Sequence, residues 1–590
     1  MKPIVFWLDK AIPTEYRGPI RHALLEWNKA FLAIGIDNAI VVHQMPDNAK
    51  WDTGDMRYNV VRWVVSPGSG YAVSLMRVNP MTGEILNADI TVDANLVRFT
   101  KVDKTLVVDP ARYFEDLTTP YNQKALIEQS EPWNCKFMQE GATDAWEGGL
   151  ALSLLDPASQ SPIEEKRYAQ EYIRMAVSHE MGHILGLRHN FVGSTFHTMA
   201  QLKDAKLMLS QGISASVMDY VPFNIEALKH PGVPFWQNTI GVYDKWAIKY
   251  GYMPIPATTP DGQLYELHQI ASDSNAPGHP LESDGLVNQF DPNVTQFDLG
   301  KDPMVYWHKM LNLSRFLMLS LFHRVPAPGR SYSRFTTDLY ALISQYSQAG
   351  SEIGRYIGGL HVSRNFRGDA GEVPTLMPIK GATQRDALNI IDNYILSPVA
   401  FKLPETYYTH LTMGQDAGII AELSGQDYPI LNTITNLQAS ALNYLLSPSV
   451  LGRVANNEYK LGNTPGKFTQ AELFHNVTST VWQGLQSGKN FDTLQRQLQR
   501  NYLDTMSNIV LGKESVPGDS KMLAWYTLNS LKASLQTAST KPHDLYTKLQ
   551  IEQSLMIVNR VLNAKQVIGG NSGGSQPNLL QLLLGGTKGH

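Results

Sequence analysis

The 590 residues carry a formal net charge of −4, with 43% hydrophobic and 18% charged residues. That balance is ordinary for a globular protein and points to neither nucleic acid nor an anionic membrane as partner. No uninterrupted apolar run reaches the roughly 20 residues of a membrane span, and the single cysteine, Cys135, rules out an intrachain disulfide and a cysteine-based metal centre.

Met1 leads almost directly into a strand, Val5–Leu8, which reads as the interior of a fold whose upstream segments have been removed. Apolar residues at helical spacing predict a helix over Tyr16–Ile34. Strands follow at Asn59–Val65, Tyr71–Arg77 and Glu84–Val92, separated by the loop Ser66–Gly70 and the turn Asn79–Gly83. Strands and helices mixed in this way predict a sheet packed on helices. Residues 105–160 read as an insertion with short helices. Ser161-Pro162-Ile163-Glu164 then has the form of a capped helix start, and the helix is expected to run to Leu185 and stop at Gly186.

Beyond Tyr252 the composition turns rich in Pro, Gly, Asp and Ser. From Asp302 onward the pattern is helical, as in Val305–His323, Phe335–Tyr356, Gln384–Leu396 and Ile430–Leu446. The chain is too long for one ordinary core. The expected division is a catalytic domain over 1–255, linker and loops over 256–300, a helical region over 301–568, and a flexible tail over 569–590. No internal repeat is present.

The segment that carries chemistry is His179-Glu180-Met181-Gly182-His183-Ile184-Leu185-Gly186-Leu187-Arg188-His189. It satisfies H-E-x-x-H-x-x-G-x-x-H at every fixed position. His179 and His183 lie one turn apart on the same helix face, so both imidazoles can reach one ion. Gly186 can break the helix and let the chain turn back, bringing His189 in as a third ligand. Three nitrogens around Zn²⁺ leave a fourth position for water, which marks a catalytic rather than a structural site. Glu180 sits beside the metal without being needed as a ligand and is placed to act as general base. A chance match is expected on the order of once per ten thousand chains of this length. Val177, Met181, Ile184 and Leu185 fall on the opposite face and are expected in the core.

Downstream, Ser216-Val217-Met218-Asp219-Tyr220 looks like the Met-turn of metzincins. With it, the chain resembles bacterial zinc-dependent metalloproteases of the Met-zincin family. The similarity is carried by His179–Phe191, Ser216–Tyr220 and Gly241–Tyr252, and more weakly by Asp298–Asp302 and Gln384–Leu388. The resemblance implies an α+β metzincin-like domain, a twisted and mostly parallel sheet over long helices, followed by a helical C-terminal region. It implies one catalytic zinc, a protein or peptide substrate, an apolar floor from Met218, and Tyr220 reaching the metal or the oxyanion. Family members usually carry an export signal, so a periplasmic, cell-surface or secreted location is expected. The cleft is expected along an edge strand, for which Glu84–Val92 is the candidate, with Asn87, Ala88 and Asp89 facing substrate. Two other readings of the motif stand beside this one: a non-catalytic zinc-binding module, and a zinc amidase acting on cell-wall peptide. Asp291, Asp298 and Asp302 match no calcium-loop spacing and are expected to serve turns and caps. Cys135 is expected to be an inert thiol rather than a blocking ligand, and His197 a loop residue.

Overall fold

The computed structural model describes residues 2–65, 70–100, 137, 141–155, 162–257, 259–321, 332–397, 399–412 and 428–564. Cys135, the capping residue Ser161, most of the Ser66–Gly70 loop, much of 105–160 and the tail 569–590 lie outside them.

Strand β1 (Ile4–Leu8) leads into α1 (Thr14–Glu26) and α2 (Asn28–Leu32), so the expected single helix divides at Trp27. Strands β2 (Ile40–Gln44), β3 (Asn59–Val64), β4 (Ala72–Val78) and β5 (Ile85–Asp93) complete a five-stranded sheet in the order β2-β1-β3-β5-β4. β1 pairs in parallel with β2 and β3, and β3 with β5; only β4 runs antiparallel. The Asn79–Gly83 turn explains this last pairing. It closes through Gly83 N–H to Asn79 C=O at 2.9 Å, with Gly83 at φ 72°, and folds β4 back along β5.

That hairpin corrects one expectation. β5 is not an edge strand, because β3 lies on one side of it and β4 on the other. Asn87, Ala88 and Asp89 are buried and committed to the sheet. Asn87 donates to Tyr58 C=O, Ala88 N–H to the Asn59 side chain, and Asp89 accepts from Val60 N–H while pairing with Arg62. The strands at the two margins are β2 and β4.

Helix α3 (Ala142–Leu155) precedes the motif helix α4 (Pro162–Ile184). α4 packs against α1 and lies along β4. Val177, Met181, Ile184 and Leu185 are buried. Trp27, fully buried, donates its indole N–H to Ser178 C=O at 3.1 Å and so anchors α1 to the motif helix. Helix α5 (Val242–Tyr252) packs on α2.

The helical half opens with α6 (Pro303–Ser320) and α7 (Ser333–Gly354), followed by the short strands β6 (Leu360–Val362) and β7 (Leu376–Pro378). The helix Gly381–Ile391 ends in a π turn over Asp392–Leu396, and Ile430–Leu445 follows. α3 packs against both α6 and α7. Ser314 donates to Glu147 at 2.6 Å and Trp146 to Asp338 at 3.0 Å. One buried apolar cluster extends from Phe6 to Val561. Among the described residues no helix is long and apolar enough to cross a membrane.

Candidate active site

The site is built on the last turns of α4. His179 and His183 project from the same face, and the helix ends at Ile184. Gly186 follows at φ 90°, a left-handed conformation that other residues adopt only at a cost. The chain reverses there, and His189 returns to the helix. One ligand-capable atom from each of His179, His183 and His189 lies within 4.8 Å of the others, and among the described residues this is the one such group able to hold a metal ion.

The second nitrogen of each ring is fixed by an oxygen. His179 Nδ1 lies 2.7 Å from Val217 C=O, His183 Nδ1 3.0 Å from Leu187 C=O, and His189 Nδ1 2.7 Å from Asp284 Oδ2. A carbonyl or carboxylate accepts only, so each ring must carry its proton on Nδ1. The Nε2 lone pairs are thereby left for a metal. Burial, then the neighbouring imidazoles, holds His179 neutral far below the usual histidine range; the same two causes bring His183 down to about 3. Neutral imidazole is the form that ligates. His183 Nε2 is buried with no hydrogen-bond partner among the described residues, as a metal-directed atom would be before its ion is counted. The donor set therefore fits Zn²⁺.

Glu180 is buried on the same helix, one residue from the first ligand. The Met-turn lies beneath the triad. Met218 is fully buried, and a β-carbon built at Gly182 would fall 2.2 Å from its sulfur. Glycine at the second variable position of H-E-x-x-H lets the methionine sulfur come this close to the helix. Asp244, in the first turn of α5, holds the Met-turn from behind. It accepts from Ser216 Oγ at 2.6 Å, Val217 N–H at 2.9 Å and Gly241 N–H at 2.7 Å. The loop is tied forward by Asn190 N–H to Met218 C=O at 3.0 Å.

Tyr220 is buried, with its hydroxyl 3.2 Å from His189 Nε2. Its ring stacks on Phe137 at 4.7 Å and meets Phe191 edge-on at 5.0 Å. Phe137 also packs on His179. Asn87, Ala88 and Asp89 are not part of this assembly; they hold the inside of the sheet.

The other expected features resolve individually. Asp291 accepts from Val362 N–H and His361, Asp302 caps α6 through Met304 N–H, and Asp298 accepts from Ser194. They serve three different segments. His197 is buried, and burial lowers its pKa, but it does not join the triad. Sequence reading missed Asp284, Gly182, Asp244 and Phe137. Gly182 and Asp244 stand inside quoted motifs, whereas nothing local marks Asp284 or Phe137.

No curated protein and no solved structure is found to match the chain. The Met-zincin family model matches residues 161–489, starting at the motif helix and continuing well into the helical half. With more than half of its length covered by that match and its three histidines gathered as described, the chain belongs to the Met-zincin family.

Proposed function

We propose that this chain is a zinc-dependent endopeptidase that hydrolyses peptide bonds in protein or peptide substrates, outside the cytoplasm as the family resemblance implies. The observation that carries this reading is the fixed tautomer of all three imidazoles, each Nδ1 tied to an oxygen so that each Nε2 can ligate. His179, His183 and His189 would hold one Zn²⁺. Bound zinc lowers the pKa of a water toward neutrality and polarises the scissile carbonyl.

The chain's own groups do the rest. Glu180 takes a proton from the attacking water and returns it to the leaving amine. Burial keeps the carboxylate from bulk water and favours this shuttle. Tyr220 presents its hydroxyl at the rim of the triad and donates to the oxyanion. Phe137 and Phe191 hold the ring in place by packing on it. An extended substrate adds to β4, the open strand along α4, through main-chain hydrogen bonds. Residues 301–568 support the catalytic part, and among their described residues no further metal-holding group is found.

The test is digestion of an unstructured protein by the metal-replete chain, with fragment masses and zinc content measured together. One zinc per chain and internal cleavage that stops on chelation are expected. Absence of zinc, or cleavage that survives exhaustive chelation, would overturn the reading. Hydrolysis confined to cell-wall peptides or small amides would make the chain an amidase instead.

A further inference from the structure

The three histidines are not held alike. His179 and His183 stand on a helix, and their Nδ1 atoms meet backbone carbonyls. His189 lies past Gly186 in irregular backbone, and its Nδ1 meets a side chain, Asp284, from a distant part of the sequence. We infer that Asp284 is a positioning residue for the third ligand, and that Arg364 sets its place through Glu282. This rests on the triad being a zinc site.

The 2.7 Å bond between His189 and Asp284 is charge-assisted, and such bonds are roughly twice as strong as neutral ones. Arg188 adds a weaker contact at 3.7 Å. A carboxylate on Nδ1 both fixes the ring and raises the basicity of Nε2.

Asp284 is itself located by the segment that ends with it. Phe191 N–H donates to Glu282 C=O at 2.8 Å, Glu282 N–H to Asn190 Oδ1 at 3.3 Å, and Asn190 Nδ2 to Pro280 C=O at 3.1 Å. Residues 280–282 are thereby sewn onto the two residues that follow His189. The Glu282 side chain, 5% exposed, turns the other way and receives Arg364 Nε at 2.6 Å and Nη2 at 2.8 Å. Arg364 follows β6, whose Val362 N–H is fixed by Asp291 at 2.8 Å. The guanidinium is largely exposed, so the pair adds little as a surface contact. Removing Arg364 nevertheless leaves the Glu282 charge buried without its partner, which favours release of the whole segment. A residue remote from the triad thus governs how firmly His189 is presented.

The experiment is zinc affinity by chelator competition on the full chain, for wild type, Asp284→Ala, Asp284→Asn, Arg364→Gln and the Asp284→Ala/Arg364→Gln double variant. Asp284→Ala is expected to weaken zinc roughly 10–100-fold. Asp284→Asn should fall between, since an amide oxygen still accepts but carries no charge. Arg364→Gln should weaken zinc about 2–10-fold, and the double variant should bind no worse than Asp284→Ala alone. Each titration is run well below the melting temperature of the metal-free variant, with circular dichroism confirming the fold, and cobalt(II) spectra report the ligand field. Unchanged affinity in folded Asp284→Ala, or an Arg364→Gln effect that persists undiminished in the Asp284→Ala background, would overturn the inference. Failure of the wild type to bind zinc would overturn the reading beneath it instead.

Discussion

The sulfur of Met218 lies 2.2 Å from where a side chain at Gly182 would begin. The Met-turn and the motif helix are therefore matched by the absence of a single carbon. Trp27 closes the same space, at 3.0 Å from that point. Gly182→Ala must displace the Met218 sulfur, although alanine is the better helix former. Overpacking typically costs about 1–3 kcal/mol. Denaturant unfolding is expected to show a loss in that range, and Gly182→Ala/Met218→Ala should recover part of it. A Gly182→Ala variant as stable as wild type would mean that the two elements are not packed as described.

Glu180, Tyr220 and His189 are expected to separate by role. Glu180→Gln keeps the volume and the fold, should retain zinc, and should lose roughly 10²–10⁴ in rate with the general base. Tyr220→Phe keeps the ring between Phe137 and Phe191 and removes one hydroxyl. Its kcat should fall about 10–10³-fold with KM little changed. His189→Ala should lose metal affinity itself. Zinc content and kcat, measured side by side, check all three. Near-normal turnover in Glu180→Gln, or a change confined to KM in Tyr220→Phe, would reassign the residues.

Asp244 carries three hydrogen bonds to the Met-turn and its flank, from a wholly buried position. Asp244→Ala leaves the Ser216 hydroxyl and the Val217 and Gly241 amides without their acceptor, at about 1–3 kcal/mol for each buried group stranded. A stability loss of several kcal/mol is expected, with lower activity from the folded fraction. Equal stability would show that these amides find other partners.

Glu147 supplies a pH signature. It is fully buried in α3, and burial lifts its pKa from 4.5 to about 8, partly offset by the hydrogen bond from Ser314. The folded state then holds a proton that the unfolded state releases. Stability is fully present below the unfolded value and declines as pH rises through the interval up to about 8. Glu147→Gln cannot titrate. Its stability relative to wild type should therefore rise between pH 5 and 9, by on the order of 3 kcal/mol. Urea midpoints of the two proteins at both pH values give the comparison. A constant difference would place the Glu147 carboxyl in contact with water.

The three histidines of the candidate metal site were legible because their information is local. Helical periodicity puts His179 and His183 on one face, and a glycine at 186 allows the reversal that returns His189; both follow from backbone sterics. The long helices at Pro303–Ser320 and Ser333–Gly354 were legible for the same reason, since each buries a repeating apolar stripe. The order of strands was not. Ile85–Asp93 and Ala72–Val78 both read as strands, but which of them takes the margin depends on pairing with β3. Nor did any pattern join Asp284 to His189 or Phe137 to Tyr220. A carboxylate in a loop rich in Asp and Ser looks like a turn residue until the chain has folded. The gathering of the three histidines was thus determined by the sequence on one helix and its turn. Their orientation and surroundings were decided by tertiary structure, because hydrogen bonds and packing between segments far apart leave no periodic trace in either segment.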